Sequence, residues 1–223
     1  MKTKILLIRH GITEGNVKKW YYGRVDIPLL PEGRAALKEL REAGIYPKVP
    51  ENALFFTSGL RRTEETLAII YGDRPHRKIP ELNEYDYGRF DGCPLPAFQN
   101  DPAFLTWRAD TTGTVRFAGG DSQESFHARV GRGIRIVMDA HLAHWAREPL
   151  AEGQEAISVV VCHGGVISQI LRQLFTNIEG TKYDWVPNPG TGFCLILEDG
   201  VPAGFEPIGS AKKPRTRGYE VEI

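Results

Sequence analysis

Short apolar runs alternate along this chain with longer stretches in which apolar residues recur every three or four positions. Continuous apolar runs predict buried strands at residues 4–8 and 157–162, the second rich in β-branched residues. Shorter strands are predicted at residues 53–56, 77–80, 193–197 and 205–208, of which the last two could be antiparallel. These runs are numerous enough to build one central sheet.

Amphipathic stretches predict helices at residues 32–43, 60–71 and 166–175. The longest helix runs to about residue 148 and opens at Asp121-Ser122-Gln123-Glu124, which resembles a capping box. Residues 11–31 are rich in Gly, Pro and aromatic residues and are expected to form a long ordered loop. Because strands and helices alternate, we expect an α/β fold, a three-layer α/β/α sandwich with a mostly parallel central sheet.

The composition is typical of an ordinary globular protein with one core. The chain has 223 residues, of which 41% are hydrophobic and 25% are charged. We expect a single domain over residues 1–223. A cap-like insertion is expected around residues 81–120, where Gly, Pro, aromatic and charged residues alternate without a period. The basic, Pro-containing stretch at residues 212–217 is expected to be exposed.

Charge and cysteine content narrow the range of partners. Lys and Arg together number 28, as do Asp and Glu, so the zero net charge argues against a nucleic acid or a membrane surface as the main partner. The three cysteines lie far apart and indicate neither a disulfide framework nor a zinc site. No signal peptide or long apolar span is visible. We therefore expect a cytoplasmic protein that acts on a small molecule, with a homodimer left open.

Two predicted strand ends carry the same polar signature. Arg9-His10-Gly11 follows the strand at 4–8, and His163-Gly164-Gly165 follows the strand at 157–162. In α/β sheets, ligands bind at the carboxyl ends of the strands. A guanidinium suits phosphate oxygens, an imidazole is a nitrogen nucleophile largely neutral near pH 7, and Gly lets the backbone approach a ligand. The two strand ends together predict phosphate chemistry on a histidine.

Further motifs, in order along the chain, resemble those of the histidine phosphatase superfamily, the phosphoglycerate mutase-like proteins. The motif Arg-His-Gly-x-Thr-x-x-Asn is matched by Arg9, His10, Gly11, Thr13 and Asn16. The pattern Tyr-Gly-x-x-Asp-x-Pro-Leu is matched by Tyr22, Gly23, Asp26, Pro28 and Leu29. The motif Ser-x-Leu-x-Arg-x-x-x-Thr is matched by Ser58, Leu60, Arg62 and Thr66, which selects Arg62 rather than Arg61. A Glu segment is matched by Leu82, Glu84, Gly88 and Gly92. With the second His-Gly at His163, the resemblance runs from residue 4 to about residue 188.

This resemblance implies a phosphoglycerate mutase-like fold and a phosphohistidine reaction without cofactor or metal. His10 is the implied nucleophile, and Glu84 is the implied general acid that protonates the leaving oxygen and later takes a proton from water. The implied catalytic phosphate donors are Arg9, Arg62 and His163. The implied substrate contacts are Thr13, Asn16, Gly23, Tyr87 and Gly164. Asp86 or Asp121 could be the acid instead, although the motif register favours Glu84.

The nature of the phosphoryl acceptor separates a phosphatase from a mutase. The mutase pattern has a Lys shortly after the Glu segment and adjacent arginines further on. Residues 92–96 contain no Lys, and only Arg108 and Arg116 are basic between residues 98 and 121. A second phosphate would lack its clamp, so we expect hydrolysis by a histidine acid phosphatase-type phosphomonoesterase. The alternatives are a cofactor-dependent phosphoglycerate mutase and, in another class, an inactive binding or scaffold protein on the same fold.

Three further features have less direct meaning. His141 and His144 lie three residues apart on the long helix without a visible third metal ligand, so both are interpreted as surface residues. The chain has Gly-Gly-Asp-Ser at residues 119–122 where the family often has Gly-Gly-Glu-Ser, which keeps the charge but shortens its reach. The aromatic residues around the expected site favour a substrate whose leaving group has an apolar or ring portion. They are Trp20, Tyr21, Tyr22, Phe90, Phe98, Phe104 and Trp107. The first three could instead simply pack the long loop.

Overall fold

A six-stranded mixed sheet forms the centre of the computed structural model, which describes residues 2–148, 150 and 153–209. The strands are β1 (Lys2–Arg9), β2 (Trp20–Tyr21), β3 (Leu54–Thr57), β4 (Arg77–Lys78), β5 (Cys93–Pro94), β6 (Ala156–Cys162), β7 (Gly192–Glu198) and β8 (Val201–Ile208). The sheet has the order β4-β3-β6-β1-β7-β8, and β2 pairs with β5 in a separate ribbon. The basic stretch at residues 212–217 lies outside the described residues.

Helices cover both faces of this sheet. They are α1 (Glu14–Val17), α2 (Pro31–Glu42), α3 (Arg61–Tyr71), α4 (Pro102–Arg108), α5 (Gln123–Trp145) and α6 (Gly164–Leu174), with 3₁₀ turns at Pro80–Leu82, Gly88–Phe90 and Leu95–Ala97. β1, β3, β4 and β6 are mutually parallel, whereas β7 is antiparallel to both of its neighbours. The late antiparallel strands expected from the sequence are thus confirmed.

The core is divided by the sheet into two layers. Ile5 and Leu7 of β1 belong to a cluster that includes apolar residues of α5 and α6. Leu6 and Ile8 belong to a second cluster, with apolar residues of α2 and α3. This division follows from the alternation of side chains along a strand. The expected three-layer α/β/α sandwich is confirmed.

Local differences from the sequence predictions occur mainly at short elements. The long loop at residues 11–31 contains α1 and β2. The strand predicted at 77–80 has only two residues, because Pro80 begins a 3₁₀ turn and has no N–H for a ladder. The capping box of α5 lies one residue later than its expected start. The Oγ of Ser122 accepts from the Ser125 amide at 3.0 Å, and the Oγ of Ser125 accepts from the Ser122 amide at 2.9 Å.

The surface position expected for His141 is wrong. Its side chain is 0% exposed, and its Nδ1 lies 2.8 Å from the Oγ of Ser158 on β6. His141 continues the apolar stripe of α5 that packs on the sheet, which explains its burial. His144 is partly exposed and bonds the carbonyl of Asn52 at 2.8 Å.

Candidate active site

Pairing of β1 with β6 brings the two histidines together. Arg9 and Cys162 are partners in the parallel ladder, so His10 and His163 both come one residue beyond it. The backbone amide of His10 donates to the carbonyl of Cys162 at 3.0 Å. The two imidazole rings are 5.3 Å apart between centroids, and both side chains are buried. The structure therefore joins the two strand ends into one site.

His10 is held in a single tautomer. Its Nδ1 lies 2.7 Å from the carbonyl oxygen of Gly11, which can only accept, so Nδ1 carries the proton. Burial lowers the pKa of His10 well below its usual value, and the positive charges of Arg62 and Arg9 act in the same direction. A neutral His10 with a lone pair on Nε2 can attack an electrophile.

Arg62 lies at the start of α3 and is fully buried. Its Nη1 and Nη2 donate to the carbonyls of Val25 at 2.7 Å and Gly23 at 2.8 Å, and its Nε lies 3.4 Å from Nδ1 of His163. A Cβ on Gly23 would come within 1.9 Å of the Tyr85 carbonyl, so this position accepts only glycine. The contacts agree with the motif register that selects Arg62, since neighbouring Arg61 is exposed.

His163 has partners on both ring nitrogens. Besides the Arg62 contact, its Nε2 lies 2.9 Å from the Oγ of Ser58, which is 2% exposed. Burial lowers the pKa of His163 well below its usual value, and nearby cations, Arg62 first among them, add to the effect. Ser58 was not among the expected site residues, although its place at the head of the Ser-x-Leu-x-Arg motif was an available signal.

Arg9 has one buried side-chain nitrogen that donates to no other residue described in the structure. Its Nη1 donates to the carbonyl of Pro187 at 2.8 Å, while its Nε has no partner among the described residues. A Cβ on Gly164 would lie 3.1 Å from this Nε and 2.8 Å from a methyl of Val186. The absence of a side chain at Gly164 thus allows Arg9 to lie against the beginning of α6.

Glu84 is docked on the first turn of α6. Its Oε2 accepts from the Gly165 amide at 2.8 Å and its Oε1 from the Tyr85 amide at 3.0 Å. The amino end of a helix favours a negative charge, which makes this turn a good place for a carboxylate or a phosphate. The other two candidate acids are engaged elsewhere: Asp121 pairs with Arg129 at 2.6 Å and Asp86 pairs with Arg24 at 3.3 Å.

Thr13, Asn16 and Tyr22 form a hydrogen-bonded group, of which the Tyr22 ring lies near His10. The Oγ1 of Thr13 lies 3.0 Å from Oδ1 of Asn16 and 2.7 Å from the hydroxyl of Tyr22. The Tyr22 ring lies 5.0 Å from the Arg62 guanidinium carbon and 6.4 Å from the His10 ring centre. Of the three aromatic residues at positions 20–22, which could either pack the loop or line the site, Tyr22 therefore lies at the site.

Most of the other aromatic residues pack the interior. Tyr87 has its ring 5.1 Å from that of Tyr21 and 5.5 Å from that of Phe117, and burial raises its pKa well above the usual value. Phe98 and Phe104 are almost completely buried in the same cluster. Phe98 and Phe104 thus belong to the core and give no support to an aromatic leaving group, whereas Tyr87 stays partly exposed.

No group of three or more His, Cys, Asp and Glu residues within the described ranges could hold a metal ion. None of the helices that the structure describes is both long and apolar enough to cross a membrane.

Comparison with known proteins supports the same family. A 2,3-bisphosphoglycerate-dependent phosphoglycerate mutase from Nocardioides is 36% identical over 89% of this chain and 87% of its own. A Bacillus subtilis protein named uncharacterized phosphatase PhoE is 36% identical over 42% of this chain, a match that spans only 48% of that relative. Among solved structures, the alpha-ribazole phosphatase of Shigella flexneri has a TM-score of 0.75 at 22% identity, over 94% of this chain and 97% of its own, and shares the fold. The sequence profile of the histidine phosphatase superfamily (branch 1) matches residues 5–200, and the chain belongs to this superfamily.

Proposed function

We propose that this chain hydrolyses a small phosphomonoester through a phosphohistidine at His10. The observation that carries the proposal is the fixed tautomer of His10, a buried ring that lies 5.3 Å from the ring of His163 and feels the charges of Arg62 and Arg9. Phosphoryl transfer depends mainly on positioning and on stabilising the charge of the equatorial oxygens. We assign that task to Arg9, Arg62 and the amides at the start of α6, while Nδ1 of His163 accepts from the Arg62 Nε and orients its guanidinium.

In the first step, Nε2 of His10 attacks phosphorus while the bond between phosphorus and the leaving oxygen breaks. Glu84, in its acid form, gives its proton to that oxygen, so the alcohol leaves neutral. In the second step, the Glu84 carboxylate takes a proton from water, and the hydroxide formed displaces His10 from phosphorus. Inorganic phosphate leaves, and both His10 and Glu84 return to their starting states.

Thr13, Asn16, Gly23, Tyr87 and Gly164 are proposed to position the substrate. For most of them the contacts favour an indirect role. Gly23 offers its carbonyl to Arg62, and Thr13 bonds Asn16 and Tyr22. Gly164 makes room for Arg9. Their combined effect is to hold the cations and the nucleophile where the phosphoryl group must bind.

Water is the proposed acceptor because a second anionic group would find few cations nearby. The segment at residues 92–96 has no Lys. Arg116 donates to the carbonyl of Gly120 at 3.0 Å, and Arg89 pairs with Asp101 at 2.7 Å. The alternative, a cofactor-dependent phosphoglycerate mutase, is favoured by the identity to the Nocardioides protein. A catalytically inactive binding protein is less well supported, because all five proposed catalytic residues are present.

The test is hydrolysis of p-nitrophenyl phosphate by the wild-type chain and by His10→Ala. We expect the variant to lose activity by at least about 10³-fold, because no other group replaces the nucleophile. Acid-labile phosphate should be trapped on the wild-type protein alone. A parallel assay with 3-phosphoglycerate and 2,3-bisphosphoglycerate measures mutase activity. A mutase rate as high as the rate of hydrolysis would favour the phosphoglycerate mutase. No turnover of any phosphomonoester in a broad panel would favour the inactive binding protein.

A further inference from the structure

Arg129 of α5 fastens the segment that carries Glu84. Its Nη1 donates to the carbonyls of Glu81 at 3.1 Å and Asn83 at 2.6 Å, and its Nη2 donates to the carbonyl of Glu84 at 3.1 Å. One guanidinium thus binds three carbonyls within four consecutive residues. The side chain of Arg129 is only 20% exposed, so water competes little for these hydrogen bonds.

Asp121 completes this arrangement by bonding both Arg129 and the residues just after Glu84. Its Oδ2 accepts from Nη2 of Arg129 at 2.6 Å and from the amide of Asp86 at 3.1 Å. Its backbone carbonyl accepts from the hydroxyl of Tyr85 at 2.6 Å. The Arg129–Asp121 ion pair therefore hydrogen-bonds the backbone both at Glu84 and two residues after it. These bonds restrict the main chain at Glu84.

A glycine on α5 allows this helix to pack closely against residues 81–84. A Cβ on Gly133 would lie 2.7 Å from Leu82 and 3.0 Å from Glu81, so glycine allows close contact one turn after Arg129. A partly buried ion pair contributes little net stability, since desolvation offsets most of its attraction. Its hydrogen bonds are directional, however, and can hold a neighbouring group in one place.

We propose, resting on the function proposed above, that Arg129 and Asp121 are positioning residues for Glu84 as general acid. Their role is to keep the carboxyl group on the leaving-oxygen side of the site. They consequently allow the chain to hydrolyse phosphomonoesters whose leaving groups are poor, such as alkyl phosphates. An alkoxide needs a proton as it leaves, whereas p-nitrophenolate is stable without one, so only the first class depends on a well-placed acid.

The experiment compares kcat/KM for benzyl phosphate and for p-nitrophenyl phosphate in Arg129→Met, Asp121→Asn and the wild-type chain. We expect each variant to lose about 10²-fold on benzyl phosphate and less than about 3-fold on p-nitrophenyl phosphate. Asp121→Glu, which restores the carboxylate, should recover most of the benzyl phosphate activity. Arg132→Met, an exposed arginine on the same helix, is the matched control and should change neither value.

Equal losses on the two substrates would overturn the proposal, because a merely structural residue affects both alike. Amide hydrogen exchange gives a second readout that needs no activity. In Arg129→Met the Gly165 amide, which donates to Glu84, should exchange faster than in Arg132→Met. Unchanged exchange would also overturn the proposal, whereas a wild-type chain inactive on both substrates would contradict only the proposed function.

Discussion

At the scale of single residues, hydrogen-bond partners set the tautomers of the site histidines. A guanidinium Nε is only a donor, so the contact with Arg62 makes Nδ1 of His163 an acceptor. The proton of a neutral His163 must then lie on Nε2 and be donated to the Oγ of Ser58. The hydroxyl of Ser58 can in turn donate to Thr63, which lies 3.2 Å away. Ser58 thus fixes the tautomer of His163.

Ser58→Ala should release His163 from this tautomer. The variant leaves a buried N–H without an acceptor, which costs enough to lower kcat/KM by about 10-fold. The ¹⁵N chemical shifts of the His163 ring should move towards a mixture of tautomers. Thr57→Val is the control, because it removes the neighbouring buried hydroxyl, which bonds Glu64 and not His163. Identical ¹⁵N spectra for Ser58→Ala and the wild type would contradict this account.

The sequence identified residues more reliably than it identified their partners. Arg62 was separated from Arg61 by motif register alone, and the buried contacts of Arg62 agree with it. His141 was misread because two histidines three residues apart suggested a metal pair or an exposed face. The spacing from Val130 and Val137 to Trp145 in fact places His141 in the apolar stripe. This helical spacing was visible in the sequence, and it predicts the burial of His141 better than the polar character of histidine does.

At the scale of elements, the first turn of α6 combines helix formation with the docking of Glu84. Gly165→Ala would place a Cβ 2.4 Å from Oε1 of Glu84, and the carboxylate would have to move away. We expect a loss of about 10²-fold in kcat/KM for an alkyl phosphate with unchanged or higher thermal stability, since alanine favours the helix. Activity and melting temperature measured on the same preparation check both parts.

Gly131→Ala on α5 is the matched control, because its Cβ would meet only Gln173 at 3.4 Å. It should leave activity unchanged. Loss of activity in Gly131→Ala as large as in Gly165→Ala would show that helix glycines, and not the displacement of Glu84, are responsible.

Long elements could be predicted from the hydrophobic pattern, and short ones could not. α5 and β6 were located to within a few residues because each presents several periods of its pattern. The two-residue strands and α1 are shorter than any period that could reveal them. They exist because neighbouring segments supply their partners, as Cys93 does for Tyr21 in the small ribbon. Their positions are therefore a property of the folded chain.

At the scale of the whole molecule, the sheet order decides what the site contains. The sequence predicted that His10 and His163 follow strands, but the adjacency of β1 and β6 depends on pairing between residues as far apart in the chain as Arg9 and Cys162. The same holds for the antiparallel β7, whose segment before Gly192 supplies the Pro187 carbonyl to Arg9. The motifs identified the family, whereas these long-range pairings could be read only from the structure.

The stability of the whole molecule should fall in acid through His141. Burial lowers the pKa of His141 to about 4, and neighbouring His144 acts in the same direction. Between about pH 6.5 and pH 4 the unfolded chain therefore binds more protons at this residue than the folded chain does. The contribution of His141 is complete above pH 6.5 and falls by about 3 kcal/mol as the pH drops to 4. His10 and His163, whose pKa values are also lowered, should add to the same trend.

His141→Gln isolates this contribution, because glutamine does not titrate while the carboxylates and the other histidines remain. Urea unfolding at a series of pH values from 7 to 4 gives the free energy of unfolding of each protein. We expect the variant to be less stable at pH 7, since the contact of His141 with Ser158 is disturbed. Its free energy of unfolding should nevertheless fall less steeply with acid, so that the difference from the wild type shrinks towards pH 4. Parallel curves would mean that His141 takes up its proton equally in both states, and that its burial has no energetic consequence.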